Sequence, residues 1–81
     1  MLENNTNNGT PVRNLQEMLR IINFDSEILP EVIVDGLFDE ITKEEVKNFQ
    51  KRFDLESTGI VDIKTFEKIV EEYEKTLDKE I

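Results

Sequence analysis

Nineteen of the 81 side chains are carboxylic acids, ten are Lys or Arg, and neither His nor Cys occurs. Without His there is no imidazole acid or base and no His-dependent Ser or Cys triad. Without Cys there is no disulfide and no thiolate zinc site. What remains is carboxylate chemistry, and two stretches concentrate it. Asp54, Glu56, Thr58, Gly59, Ile60 and Asp62 fall at positions one, three, five, six, seven and nine of an EF-hand loop. The bidentate glutamate needed at position twelve is replaced by Thr65, and Glu67 comes two residues too late. Asp54, Glu56, Thr58, Ile60 and Asp62 are therefore only a weak candidate cation set, and no metal or other cofactor is expected. The second stretch holds Asp35, Asp39 and Glu40. A carboxylate pair roughly 5 to 9.5 Å apart suffices for glycoside hydrolysis, but one member must have its pKa raised by burial. A chain this short has little interior in which to do that, so the sequence predicts a binding protein and no enzyme.

The formal charge of −9 narrows the partners. Phosphate neutralisation drives most nucleic-acid affinity, so DNA and RNA are excluded as expected ligands. Anionic membrane surfaces repel the chain for the same reason. No run of 18 or more apolar residues occurs, so no membrane insertion is expected. The opening MLENNTNNGTP lacks the apolar stretch of a secretory signal. The expected location is the cytoplasm, or a phage, spore or cell-envelope assembly acting at the wall.

The elements that must position these groups are helical. Val12, Leu15, Leu19 and Ile22 recur at helical spacing and predict a helix over 12–22, with Thr10 as N-cap and Pro11 in its first turn. Asn23 is a candidate left-handed end to it. Thr42 and Glu45 have capping-box spacing and predict a second helix over 42–53, with Val46, Phe49 and Phe53 facing inward. Asp62 is the predicted N-cap of a third helix over 62–77, whose apolar stripe reads Ile63, Phe66, Ile69, Val70, Tyr73 and Leu77. Asp35-Gly36 and Gly59 mark turns, the second with a positive φ. The fold class expected is all-α, a small three-helix bundle with irregular connections. Residues 1–9 read as a disordered tail, 10–77 as one domain and 78–81 as a frayed end. An internal echo pairs Val34-Asp35-Gly36 and the Thr42 helix with Val61-Asp62 and the Thr65 helix.

Taken in order, Leu15-Gln16, Val34-Asp35-Gly36-Leu37-Phe38, Thr42, Phe49-Gln50, Leu55, Gly59-Ile60-Val61-Asp62 and Thr65 resemble the small three-helix peptidoglycan-binding domain of bacterial wall hydrolases. The likeness runs from about Gly9 to Leu77. It implies a non-catalytic module that recognises glycan or stem peptide and localises a partner or assembly. The chain departs from the family pattern at Asp39 and Asp54, where glycine is usual. Relatives of the fold also serve as docking modules. An acidic adaptor in a bacterial or phage assembly is therefore the alternative, with a wall-associated or assembly protein as partner.

Peptidoglycan offers apolar sugar faces, carboxylates, amides and amines, so its binder needs a shallow groove with an exposed ring and polar partners. The segment 24–41 beside the second helix is the expected place. The candidate ligand-binding residues are Gln16, Phe24, Asp35, Gly36, Phe38, Asp39, Thr42 and Gln50. Each also has an interior reading. Asp35-Gly36 forms a self-bonded turn, Phe38 anchors the core, Thr42 caps a helix, and Gln16 and Gln50 tie loop to helix. Phe24 lies past the first helix's stripe, as either a packed or a stacking ring. Phe49, Phe53 and Phe66 are expected in the core.

Overall fold

The structure, a computed structural model, describes residues 9–26 and 32–79. Three helices follow one another: α1 (Thr10–Ser26), α2 (Glu40–Arg52) and α3 (Ile63–Lys79). No strand occurs among the described residues. All three helices are longer than or offset from their predicted spans. Residues 1–8, 80 and 81 lie outside the described residues, and with them most of the expected tail and part of the expected frayed end.

α1 begins two residues earlier than its apolar spacing suggests. Gly9, at φ 108°, accepts the first helical hydrogen bond from the Arg13 amide at 2.9 Å. Gly9 therefore occupies the cap position expected of Thr10, and Thr10 is helical. At its other end α1 runs through Asn23 and Phe24 to Ser26, because nothing at Asn23 breaks it. Its buried face is Val12, Leu15, Gln16, Leu19 and Ile22.

α2 is capped by Asp39, not Thr42. The Asp39 carboxylate accepts the Thr42 amide at 3.2 Å, and the Asp39 carbonyl accepts the Lys43 amide at 2.9 Å. An aspartate three residues ahead wins because its charge suits the positive end of the helix dipole. Thr42 thus lies inside the first turn, and Glu45 faces the interior instead of closing a capping box. At the far end the Leu55 amide bonds Gln50 O at 2.8 Å and the Asp54 amide bonds Lys51 O at 3.3 Å. This is a Schellman stop, and it puts Asp54 at φ 59°. Asp54 thus stands in the left-handed conformation that glycine adopts without strain.

α3 starts as the sequence predicts, with the Thr65 amide bonded to the Asp62 carboxylate at 2.9 Å. Its inward face differs from the predicted stripe. Thr65, Ile69 and Thr76 are buried, and Tyr73 is half-buried. Phe66 is 42% exposed, Leu77 42% and Ile63 65%. The rotation follows from Thr65, whose hydroxyl is required inside as described below. α1 packs directly on α3. Val32, Phe38, Val46, Phe49, Val61 and Ile69 join the α1 face in one core, with Met18, Phe53 and Tyr73 at its edge. Burial of about ten apolar side chains at ~25 cal/mol per Å² is the main stabilising term.

Candidate binding site

Two interior glutamines organise the two connections. Gln16 projects from α1 into the turn before α2. Its Oε1 accepts the amides of Asp35 (3.0 Å) and Gly36 (2.8 Å). Its Nε2 donates toward Asp35 Oδ1 (3.1 Å), Leu37 O (3.0 Å) and Thr42 Oγ1 (3.0 Å). Gln50 projects from α2 into the turn before α3. Its Oε1 accepts the Gly59 amide at 2.9 Å. Its Nε2 donates toward Thr58 Oγ1 (3.2 Å), Ile60 O (3.0 Å) and Thr65 Oγ1 (3.0 Å). A buried amide must find partners for both ends, and each turn supplies them.

The turns are copies of one another, in a different register from the predicted echo. Asp35 corresponds to Thr58. Each accepts the amide two residues ahead at 3.0 Å, from Leu37 and Ile60 respectively. Gly36 and Gly59 correspond, at φ 77° and 79°. Phe38 and Val61 are both core, and Asp39 and Asp62 are both caps. Thr42 and Thr65 each meet the glutamine, so a hydroxyl, not an alkyl group, is needed at both places.

The turns are also held from behind. The Gly9 amide donates to Gly36 O at 2.8 Å, and a Cβ on Gly36 would stand 3.4 Å from Gly9 O. Gly59 lies against α2, where a Cβ would stand 2.8 Å from Lys43 Cγ. Ser57 Oγ donates to Lys47 O at 3.2 Å. The second turn therefore runs beside the first two turns of α2, whose N-terminus the first turn supplies.

Electrostatics separate the groups. Hydrogen bonds from the Leu37 amide and the Gln16 side chain hold the Asp35 carboxyl below its ordinary value of 3.8. The backbone and side chain of Thr65 do the same for Asp62. Glu45 moves the other way. It is 1% exposed, neither carboxylate oxygen has a hydrogen-bond partner, and burial with the nearby charges of Asp39 and Asp35 pushes its pKa up to about 7.

These placements sort the predicted ligand residues. Gln16, Gly36, Phe38, Thr42 and Gln50 are buried, so they shape the turns from inside and offer no surface to a polymer. Asp35 is exposed, Asp39 is half-buried, and Phe24 is 90% exposed on α1 rather than in a loop. Leu37 on the first turn and Ile60 at the matching place on the second are exposed and are not among the predicted ligand-binding residues. Each follows the positive-φ glycine of its turn, and that position is the sequence signal for their exposure. The groove expected within 24–41 falls partly outside the described residues, at 27–31; among the described residues a shallow depression of about 490 Å³ is lined by Asp54, Leu55, Glu56, Asp62, Ile63, Lys64 and Thr65. In this stretch the oxygens of Thr58, Ile60 and Asp62 already receive internal hydrogen bonds. Among the described residues no three acidic side chains are grouped to hold a metal ion.

Residues 8–69 match the peptidoglycan binding domain family, and the chain belongs to it. No curated protein and no solved structure matches the chain significantly. The matched family is a non-catalytic binding domain, and the match covers α1, α2, both clamped turns and the first part of α3. No helix among the described residues is long and apolar enough to cross a membrane.

Proposed function

We propose that this chain is a wall-targeting module that grips peptidoglycan with the rims of its two turns and so localises a partner or assembly. The reading rests on the coincidence of the family match with both glutamine-clamped turns. The clamps remove the conformational freedom of the turns before any ligand arrives, which lowers the ordering cost of binding. Leu37 and Ile60 offer apolar surface to sugar faces, and the carboxylates of Asp35 and Asp39 offer acceptors to amides or amines of a stem peptide. Phe24 adds an exposed ring on α1. The domain unit proposed is 10–77.

The test is retention on purified sacculi stripped of anionic polymers. The full chain is expected to co-sediment at physiological salt, and Leu37→Ser with Ile60→Ser is expected to reduce retention at least roughly tenfold while the far-UV spectrum stays unchanged. A wild-type chain that stays in the supernatant at every salt concentration rules the proposal out.

A further inference from the structure

α3 carries a second apolar face that the fold does not use. Ile63, Phe66, Val70 and Leu77 recur at three, four and seven residues, which aligns them as one stripe along a helix. The stripe is displaced from the buried line of Thr65, Ile69 and Thr76. Ile63 and Phe66 and, a turn from the helix end, Leu77 are exposed, and Val70 is half-buried. Phe66 and Val70 line a shallow groove of about 470 Å³ together with Glu67, Glu74, Asp78 and the Glu71–Lys75 ion pair.

The charges on this helix are unevenly balanced. Lys68 and Lys75 pair with Glu71 and Glu72, at distances from 3.0 to 3.8 Å. No ion pair among the described residues involves Glu67, Glu74 or Asp78. An apolar strip edged by uncompensated carboxylates selects by charge. A second copy would bring the same acidic edge, on a chain of charge −9, against itself. An anionic polymer or lipid surface is repelled for the same reason. A cationic amphipathic helix satisfies both features, burying its apolar side chains on the strip and setting Lys or Arg against the edge.

We infer that the Phe66–Leu77 face of α3 is a docking surface for a basic amphipathic helix of another protein. Phe66, Val70 and Leu77 lie on a different line of α3 from Thr65, which holds the second turn, and most of the face follows residue 69, where the family match ends. It therefore stands independently of wall binding and lets one module carry cargo while its turns engage a ligand.

The probe is an 18-residue helical peptide with Leu at three- and four-residue spacing and Lys elsewhere, titrated into the isotope-labelled full chain at physiological salt. Amide shifts are expected within 63–78. A peptide with the same Leu pattern and Glu in place of Lys is expected not to bind. The triple variant Glu67→Lys, Glu74→Lys, Asp78→Lys is expected to weaken the Lys peptide at least roughly tenfold. The control Glu17→Lys, Glu44→Lys, Glu56→Lys, with the same net charge, is expected to stay within about twofold. Three results overturn the proposal: equal weakening by both triple variants, shifts centred on the turns, or a stable dimer by sedimentation that Phe66→Ser dissolves. All six charge changes are at exposed positions, so folding is checked by the unchanged circular dichroism spectrum.

Discussion

The two halves of the molecule build one device twice, and they differ in what surrounds it. Residues 35–46 and 58–69 share a positive-φ glycine, a core residue two places on, an aspartate cap and a threonine under a glutamine amide. The first copy puts a carboxylate, Asp35, where the second puts the neutral hydroxyl of Thr58. Beyond the threonine the contrast is sharper. Glu45 is sealed in the interior without a partner, whereas Lys68, the matching residue of α3, lies 5.0 Å over the Phe53 ring and pairs with Glu71 and Glu72. α2 is enclosed at this depth and α3 is open on one side. The same local motif therefore tolerates a charge only where solvent and counter-ions reach it.

The largest effect should come from removing a clamp. Gln16→Ala leaves the Asp35 and Gly36 amides without their acceptor and should cost about 3 kcal/mol by chemical denaturation. Gln50→Ala strands one amide, that of Gly59, and should cost about 2 kcal/mol. Equal losses would break the comparison, since the first turn would then gain nothing from its extra bonds.

Glu45→Gln tests the enclosure of α2. With a folded pKa of about 7 against an ordinary 4.5, the native state holds a proton that the unfolded chain has released. Its contribution therefore declines as pH rises from about 4.5 to 7 and is level above that. The substitution should raise stability at pH 8 by about 2 kcal/mol and remove that slope. Asp35 and Asp62 act in the opposite sense. Their pKa values lie below 3.8, so their contribution is present above that value and is lost as pH falls through the lowered one.

Gly36→Ala and Gly59→Ala should each cost about 1–2 kcal/mol, because both force a side chain into the left-handed region. A Cβ on Gly59 would stand 2.8 Å from Lys43 Cγ, so α2 side chains must shift, whereas a Cβ on Gly36 would meet Gly9 O at an ordinary 3.4 Å. Gly59→Ala should therefore be the more harmful in thermal melts. The smallest effect is a gain. Asp54→Gly relieves a φ of 59° and removes a negative charge from the C-terminal end of α2, and should add about 0.5–1 kcal/mol.

Much of this was legible in the residues. The aliphatic spacing of α1, the Phe38 and Phe49 anchors, the Asp62 cap and both glycine turns follow from type and position. The interior roles of Gln16 and Gln50 were also among the readings that the sequence allowed. The α2 cap was missed because Thr42-x-x-Glu45 imitates a capping box. The repeated Asp-x-x-Thr, at Asp39 and at Asp62, was the signal that separates the two. Phe66 was misplaced because periodicity alone does not say which of two overlapping stripes faces inward. The deciding fact is the hydroxyl that Gln50 needs at Thr65, a contact 15 residues distant. The length of α1 was underestimated because its amphipathic stripe ends at Ile22 while its backbone bonding does not.

The reach of the two glutamines also bears on how the chain assembles. Gln50 finds Thr65 across 15 residues, and Gln16 finds Thr42 across 26. Closing the longer span costs about 0.5 kcal/mol more in chain entropy. The shorter closure favours the turn between α2 and α3 as the earlier of the two to form. Gln50→Ala is accordingly expected to slow refolding more than Gln16→Ala in stopped-flow kinetics, and equal slowing would contradict that order.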